Sequence, residues 1–297
     1  MQILRTPDER FADLPDFPWE PRYVDVDGLR IAYVEAGPAD GPVVLCLHGE
    51  PTWSFLYRKV LRVLADRGCR AVAVDLVGFG RSDKPAHVAD YTYARHVEWI
   101  RAAVFDRLDL RDVTLLGQDW GGLVGLRLVA ENPDRFARVV AANTGLPDGR
   151  HEMPEVWWMF RRAVESAERL DIGRFVASGC ESGLTPQEQA AYDAPFPDES
   201  FKAGPRSFPG LVPTTPDDPG AVANQKAWEV LLSLDLPFLC AFSDGDPITA
   251  PMGPLLARVM PGAAGRDHPT IRDAGHFLQE DAGAELGRVV ADFVAST

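Results

Sequence analysis

Residues Gly117–Gly121 read Gly-Gln-Asp-Trp-Gly and lie between an apolar run, Val113–Leu116, and a helical pattern that begins near Leu123. A strand, a tight turn flanked by glycines and a helix form a nucleophile elbow, which exposes one side chain above a sheet and usually reads G-x-S-x-G. Here Asp119 occupies the position of the serine. A carboxylate is ionised at neutral pH and can attack carbon as a nucleophile. The pentapeptide therefore indicates chemistry through an alkyl ester on aspartate.

Short, nearly continuous apolar runs alternate with helical stretches along much of the chain. Runs of this length, rich in Val and Leu, are typical of strands buried on both faces of a parallel sheet. A hairpin signature at Tyr23–Glu35 precedes them. The alternation predicts an α/β fold with a mostly parallel, doubly wound sheet and ligands at the carboxyl ends of its strands. We expect strands at Val43–Leu47, Ala71–Asp75, Val113–Gly117, Val139–Asn143 and Phe238–Phe242, and helices at Trp53–Leu64, Tyr93–Leu108, Leu123–Glu131 and Val222–Leu234.

The middle of the chain breaks this rhythm. Between residues 145 and 220 no buried-strand run occurs, and aromatic residues and prolines become frequent. Two helical stretches carry Trp157, Trp158, Phe160 and Phe175, and we expect Pro195–Pro219 to be rich in loops. We therefore predict a core made of residues 1–144 and 221–297, with residues 145–220 inserted as a mostly helical cap.

Composition excludes several classes of function. The formal charge is −14, from 30 basic and 44 acidic residues, and no basic patch points to nucleic acid. The four cysteines form no C-x-x-C pair, and no H-x-x-x-H or H-E-x-x-H spacing occurs, so we expect no metal site and no disulfide framework. The N-terminus lacks an apolar signal core, and the apolar runs are too short to span a bilayer. We expect a cytoplasmic monomer that uses no cofactor.

Two segments near the C-terminus supply partners for Asp119. His276 lies in Asp273–Phe277 between the last strand-like stretch and a helix, where the base follows the nucleophile and the acid in chain order. His268 competes, but it precedes that strand and so lies at its wrong end. Within Phe242–Pro247 we favour Asp246 over Asp244 as the acid, because Asp246 lies beyond the turn. A carboxylate on one imidazole nitrogen fixes the tautomer and orientation of such a base.

The turn after the first buried strand completes the constellation. His48–Trp53 should place the backbone N–H of Glu50 opposite that of Trp120, and together they would form an oxyanion hole. Only the main chain of Glu50 is needed for this role. His48 is expected to have a structural hydrogen-bonding role, and Asp75–Asp83 an architectural one. An aspartate before a helix is often only an N-cap, which is the competing interpretation of Asp119.

Taken together, these segments resemble the haloalkane dehalogenases of the α/β-hydrolase superfamily. The resemblance covers nearly the full length and also includes Ala194–Asp198 in the predicted cap. It implies hydrolysis of a haloalkane to a primary alcohol and halide through an aspartyl-alkyl ester, with a small halogenated hydrocarbon, a halide ion and water as partners. Asp119 would be the nucleophile, His276 the base and Asp246 the acid.

One subfamily holds the departing halide between two tryptophan indole N–H groups. The resemblance implies that Trp120 is one of them and that either Trp157 or Trp158 is the other, with Trp157 favoured. Other subfamilies use asparagine where this chain has Glu50. The nearest alternative is an epoxide hydrolase, which needs two cap tyrosines, whereas residues 145–220 contain only Tyr192. The other alternative is a non-catalytic binding protein on a hydrolase fold, but such a protein usually lacks part of the triad.

Overall fold

A computed structural model describes residues 1–297 and places a seven-stranded sheet at the centre of the protein. The strands in chain order are β1 (Ile3–Leu4), β2 (Arg22–Val26), β3 (Leu29–Ala36), β4 (Val43–Leu47), β5 (Arg70–Val74), β6 (Lys84–Pro85), β7 (Val113–Gln118), β8 (Phe136–Ala142), β9 (Phe238–Cys240), β10 (Phe242–Ser243) and β11 (Thr270–Ile271). The central sheet has the order β2-β3-β5-β4-β7-β8-β9. Its first three strands are antiparallel neighbours, and the remaining pairs are parallel.

Ten α-helices surround the sheets: α1 (Arg58–Asp66), α2 (Tyr93–Arg101), α3 (Trp120–Glu131), α4 (Glu155–Ser166), α5 (Ile172–Ser178), α6 (Pro186–Asp193), α7 (Ala203–Leu211), α8 (Ala221–Leu231), α9 (Met252–Val259) and α10 (Leu278–Ser296). The chain after α2 continues as a π-helical segment, Ala102–Arg107. None of the helices combines the length and the apolar composition that a membrane span requires.

The strand and helix predictions for the core are confirmed. The hairpin at Tyr23–Glu35 is formed by β2 and β3, and Val43–Leu47 is β4. The central strands are buried because neighbouring strands pair with their edges and helices cover the faces of the sheet, which explains their unbroken apolar sequence. The predicted strand at Phe238–Phe242 is divided at Ala241 into β9, which joins the central sheet, and β10, which pairs with β11.

The chain between β8 and β9 contains five helices, α4 to α8, and no strand. The boundaries of a cap at residues 145 and 220 stay a prediction. The expectation that Pro195–Pro219 is rich in loops is wrong for about half of its length, because a 3-10 turn, Glu199–Lys202, and α7 lie within it. Pro205 lies in the first turn, where its missing N–H removes no helical bond. Pro209 does remove one, and it follows the fully buried Phe208.

A buried charged network joins this region to the core. Arg58 of α1 donates to Glu280 of α10 at 2.8 Å and to Glu188 of α6 at 2.6 Å. The hydroxyl of Tyr192, also on α6, donates to Glu280. Removing one member of a buried ion pair leaves an unpaired charge and is strongly destabilising. The network therefore anchors α6 on the core beside the loop that precedes α10.

Candidate active site

The elbow places Asp119 between the end of β7 and the start of α3. Its backbone has φ 50° and ψ −127°, a strained conformation for a residue with a side chain. Gly121 allows this turn, because a Cβ there would lie 1.9 Å from the carbonyl oxygen of Leu47 on the neighbouring strand. Asp119 is the N-cap residue of α3, yet its side chain makes no capping hydrogen bond. The capping interpretation is therefore wrong, and the carboxylate is free to face elsewhere.

The Asp119 carboxylate is held by the turn that follows β4. The backbone N–H of Glu50 donates to its Oδ1 at 2.8 Å. Gly49 allows this approach, because a Cβ at that position would lie 2.4 Å from the carboxylate. Trp120 is the first residue of α3, so its N–H belongs to the unpaired N-terminal groups of the helix. The dipole of α3 also favours negative charge at this end.

His276 follows β11 and lies between the two carboxylates that the sequence singled out. Its Nδ1 is 3.0 Å from Oδ2 of Asp246, a hydrogen-bonding distance. Its Nε2 is 3.7 Å from Oδ2 of Asp119, which is an ionic contact and not a hydrogen bond. The structure thus brings together the three residues predicted to form the triad, with the imidazole in the middle.

The charges around His276 favour its protonated form, in which it is paired with Asp246 and Asp119. Burial disfavours the imidazolium, but the charges of Asp246 and Asp119 and the hydrogen bond to Asp246 outweigh burial and raise the pKa of His276 to about 10. Burial would also raise the pKa of Asp246, yet His276 and the Thr249 hydroxyl hold that pKa below its ordinary value. Removing the charge of Asp119 would therefore lower the pKa of the histidine.

The choice between the two aspartates after β10 agrees with the geometry. Asp246 is 2% exposed, and it contacts His276, the N–H of Ile248 and the Thr249 hydroxyl. Asp244 instead accepts the N–H of Ala274 at the long distance of 3.5 Å, which braces the neighbouring turn.

Two buried amides that hold the histidine were missed by the sequence analysis. Gln118 donates to the carbonyl oxygen of His276 at 3.2 Å, and its Nε2 also lies 3.2 Å from the ring Nε2. Asn143, at the end of β8, donates to the carbonyl oxygens of Gly275 and His276 at 3.0 and 3.1 Å. Gln118 directly follows the predicted strand Val113–Gly117, and Asn143 is the last residue of the predicted strand Val139–Asn143, so both lie at the edge where the nucleophile lies. This location at the strand ends was the sequence signal that could have identified them as site residues.

Asp281 was missed as well, and it connects the histidine loop to the cap region. Its carboxylate accepts the backbone N–H groups of Gly275, Glu181 and Ser182, each at 2.9 Å, and the Ser182 hydroxyl at 2.6 Å. Gly275 precedes His276, whereas Glu181 and Ser182 follow α5. We call these contacts the Asp281 clamp. It fixes the position of the histidine loop against the chain that leaves α5.

A cavity of about 1070 Å³ lies above the elbow. Asp119, His276 and Glu50 line it together with Trp120 and Trp157. Burial raises the pKa of Glu50 well above its ordinary value, and the charge of Asp119 adds to that shift. The cavity thus presents the Asp119 carboxylate at its base, together with several indole and apolar surfaces, to any bound molecule.

The two candidate cap tryptophans differ in position. Trp157 is 4% exposed and lines the cavity, whereas Trp158 is half-buried and packs edge-on against Trp157 at 4.8 Å between ring centroids. The indole N–H groups of Trp120 and Trp157 have no acceptor in the protein. By contrast, Trp53 and Trp228 donate to backbone carbonyls at 3.1 and 2.8 Å. The cavity therefore contains two indole donors without protein partners.

Two of the other histidines have structural contacts. His48 accepts the N–H of Leu76 at 2.9 Å, which confirms the expected structural role. His268 accepts the N–H of Cys240 and lies away from the trio. The predicted architectural role of Asp75–Asp83 is also confirmed, since Asp75 accepts the N–H of Ser54 and Asp83 binds Arg5. No group of three or more His, Cys, Asp or Glu side chains is arranged to hold a metal ion.

The sheet order, the elbow with its strained aspartate and the histidine after the last strand define an α/β-hydrolase. The family profile for the alpha/beta hydrolase fold matches residues 42–282.

Within that class the chain belongs to the haloalkane dehalogenases. It is 50% identical to the haloalkane dehalogenase of Psychrobacter cryohalolentis, over 99% of this chain and 98% of that protein. It is 48% identical to the one from Mycolicibacterium paratuberculosis, over 96% of each chain. The solved structure of a tetrameric haloalkane dehalogenase from Paraglaciecola agarilytica superimposes with a TM-score of 0.91 at 36% identity and covers 97% of each chain. The protein is thus a hydrolase that acts on carbon–halide bonds, and the predicted fold and family are confirmed.

Proposed function

We propose that this dehalogenase acts in two steps through an ester on Asp119. In the first step, the Asp119 carboxylate attacks the halogen-bearing carbon in line with the carbon–halogen bond. The new C–O bond forms as the halide leaves with the bonding electrons. In the second step, water attacks the carbonyl carbon of the ester and releases the alcohol. The observation that carries this proposal is the strained Asp119, whose carboxylate lines the cavity without capping α3.

The hydrogen bond from Glu50 to Oδ1 supports the first step, because it fixes the rotation of the carboxylate. Its Oδ2 makes no hydrogen bond to the protein and lies on the side of His276. Holding the nucleophile in one orientation converts a bimolecular collision into a positioned attack. The same N–H, with that of Trp120, would hold the negative oxygen that develops in the second step.

We assign the halide to the indole N–H groups of Trp120 and Trp157. Both side chains line the cavity, and neither N–H has a protein acceptor. Indole donates but does not accept, and its apolar body keeps water away, so it favours an anion. Phe208 of α7 packs on the Trp120 ring at 4.5 Å, and Tyr93 packs edge-on at 5.0 Å. These contacts hold the first donor rigidly. Trp158 then serves only to support Trp157.

His276 acts as the base of the second step. In the free enzyme the charge of Asp119 contributes to the raised pKa of His276. Once Asp119 is an ester this charge is gone, and the pKa falls toward the range in which neutral imidazole accepts a proton from water. Asp246 keeps the ring oriented throughout. The departing alkoxide takes the proton from the imidazolium, and the acid left on Asp119 later loses its own proton to solvent.

The placement of Tyr192 argues against an epoxide hydrolase. That reaction must protonate an alkoxide, and Tyr192 is the only tyrosine in residues 145–220. Its side chain is fully buried, donates to Glu280 and does not line the cavity. A halide needs no proton on leaving, so a cavity without a tyrosine donor suits dehalogenation.

Parallel assays on 1,2-dibromoethane, 1-bromobutane and styrene oxide test the proposal. We expect steady release of bromide and alcohol from the haloalkanes without added cofactor, and no diol from the epoxide. Diol formation at a comparable rate would favour the epoxide hydrolase. Absence of any product, with intact folding, would favour a binding protein. The expected monomer can be checked on the same samples by light scattering.

A further inference from the structure

The amide of Gln118 contacts the ring of His276 as well as its main chain. Gln118 is the last residue of β7, is fully buried and directly precedes the nucleophile. Its Nε2 lies 3.2 Å from the carbonyl oxygen of His276 and 3.2 Å from the ring Nε2. A carbonyl oxygen only accepts hydrogen bonds, so the amide atom at this position is the NH2 group, which has two hydrogens to donate. One N–H of Gln118 is thus available to the ring nitrogen that acts as the base.

This contact distinguishes the two charge states of the ring. Neutral His276 with its proton on Nδ1 donates to Asp246 and leaves a lone pair on Nε2, which can accept from the Gln118 amide. The imidazolium has an N–H at both positions, so its Nε2–H would face the Gln118 NH2 group without a hydrogen bond. A donor that binds only the uncharged form disfavours the charged form. The amide therefore opposes the neighbouring carboxylates.

The carboxylates around His276 favour its charged form. The titratable side chains near it are Glu50 after β4, Asp119 after β7, Cys180 and Glu181 after α5, Asp244 and Asp246 after β10, and Asp281 on α10. Of the carboxylates, only those of Asp246 and Asp119 form an ionic contact with the ring. Esterification of Asp119 removes one of these two charges. The remaining charge of Asp246 still stabilises the imidazolium, which cannot accept a proton from water.

The two buried amides of the site differ in how fully they are paired. Asn143 engages both ends of its amide, because its oxygen accepts the N–H of Ser243 at 2.9 Å and its Nδ2 donates to the carbonyl oxygens of the histidine loop. In Gln118 the donor end is engaged, whereas Oε1 is buried and has no partner in the protein. A buried acceptor without a partner costs free energy. Gln118 thus holds its donor at the base although its acceptor is left unpaired, which is typical of a functional position.

We propose that Gln118 is a positioning residue that keeps His276 uncharged until the ester on Asp119 is hydrolysed. This inference rests on the two-step chemistry proposed above. As the water oxygen bonds to the ester carbon, a proton of the water moves to Nε2 of His276, and the ring loses its hydrogen bond with the amide. This loss favours the transfer of the same proton to the departing alkoxide. No proton moves to or from Gln118.

The pH profile of ester hydrolysis tests this role. Gln118→Met keeps an unbranched side chain of similar length and removes the donor. After rapid mixing with 1-bromobutane, bromide release in the first turnover reports ester formation, and butanol release reports ester hydrolysis. In the native protein, hydrolysis should slow as pH falls, with a midpoint where His276 of the ester is half protonated. We expect Gln118→Met to raise this midpoint by about one pH unit, the value of one lost hydrogen bond.

The effect of the substitution should therefore depend on pH. One unit below the native midpoint, Gln118→Met should hydrolyse the ester roughly 10-fold more slowly than the native protein, and well above both midpoints less than about 3-fold more slowly. Bromide release should change less than about 3-fold throughout, because the Asp119 carboxylate is retained. Gln118→Leu has a shorter apolar side chain and should raise the midpoint as well, which separates the lost donor from altered packing.

Asn143→Gly is the matched control, because Asn143 binds the carbonyl oxygen of His276 but not the ring, and its φ of 38° suits glycine. It should slow hydrolysis at every pH without moving the midpoint. The inference is overturned if the midpoint fails to rise in either folded Gln118 variant, or if Asn143→Gly raises it as far. His276→Phe tests the underlying chemistry separately. If it accumulates no ester, the two-step mechanism itself fails, whatever the Gln118 variants do.

Discussion

The cavity has a core half, formed by residues that follow strand ends, and a cap half, formed by the helices between β8 and β9. The two halves are built by different means. In the core half, Asp119 follows a strand of the central sheet, and Asp246 and His276 follow β10 and β11 of the small sheet beside it, so the main chain brings all three together. In the cap half, Trp157 is held by aromatic packing, and its N–H has no protein partner. The side chains whose reaction needs a fixed geometry are therefore placed at strand ends. Recognition that needs an apolar surface lies on packed helices.

The largest expected effect separates the two halves completely. Asp119→Ala removes the attacking oxygen, so both steady turnover and the first-turnover release of halide should disappear. The indoles of the cavity are untouched, so added bromide should still quench tryptophan fluorescence as in the native protein. Loss of halide binding together with activity would show that the two halves are not separable. Detectable turnover would show that Asp119 is not the nucleophile.

The next effect tests the cap half itself. A hydrogen bond to a charged group is worth about 1.5–3 kcal/mol. Trp157→Phe should therefore lower the rate of halide release in the first turnover roughly 10- to 100-fold. Trp158→Phe is the matched control and should change that rate less than about 3-fold, since Trp158 does not line the cavity. Stopped-flow halide release measures both. A larger effect at Trp158 would reverse the assignment.

A smaller effect is expected at the Asp281 clamp, where the halves meet. Asp281→Asn replaces one acceptor oxygen by an amide that faces backbone N–H groups, so the loop carrying His276 should lose its fixed position. We expect ester hydrolysis to slow about 3- to 10-fold while first-turnover halide release is retained. Asp292→Asn, an exposed position on the same helix, is the control. Equal loss in both steps would mean that the clamp only stabilises the fold.

The smallest effect concerns His96, which packs edge-on against Phe208 of α7 at 4.6 Å. Neither ring nitrogen has a partner, and burial, reinforced by nearby His48, lowers its pKa to about 3. The unfolded chain binds a proton below about pH 6.5, so this group destabilises the fold as pH falls from 6.5 toward 3. His96→Leu should raise stability at pH 7.5 by about 1 kcal/mol and more at pH 5. Urea unfolding at both pH values measures this, and a pH-independent difference would contradict it.

The same division explains what the sequence could predict. The strands, the elbow, Asp246 and His276 follow from local patterns, because strand ends and turns are set by nearby residues. The three residues Gln118, Asn143 and Asp281 were missed, because most of their partners lie about 100 residues or more away along the chain. In the cap, the position of α7 and the choice of Trp157 depend on how helices pack. Periodicity does not determine such packing, and two prolines made α7 resemble a loop.

The central claim, that Asp119 attacks carbon and carries the alkyl group, is tested most directly by trapping the ester. His276→Phe is incubated with 1-bromobutane, digested and analysed by mass spectrometry. We expect one bromide released per protein molecule and one butyl group on the peptide that contains Asp119. Bromide released at a steady rate with that peptide unmodified would contradict the account.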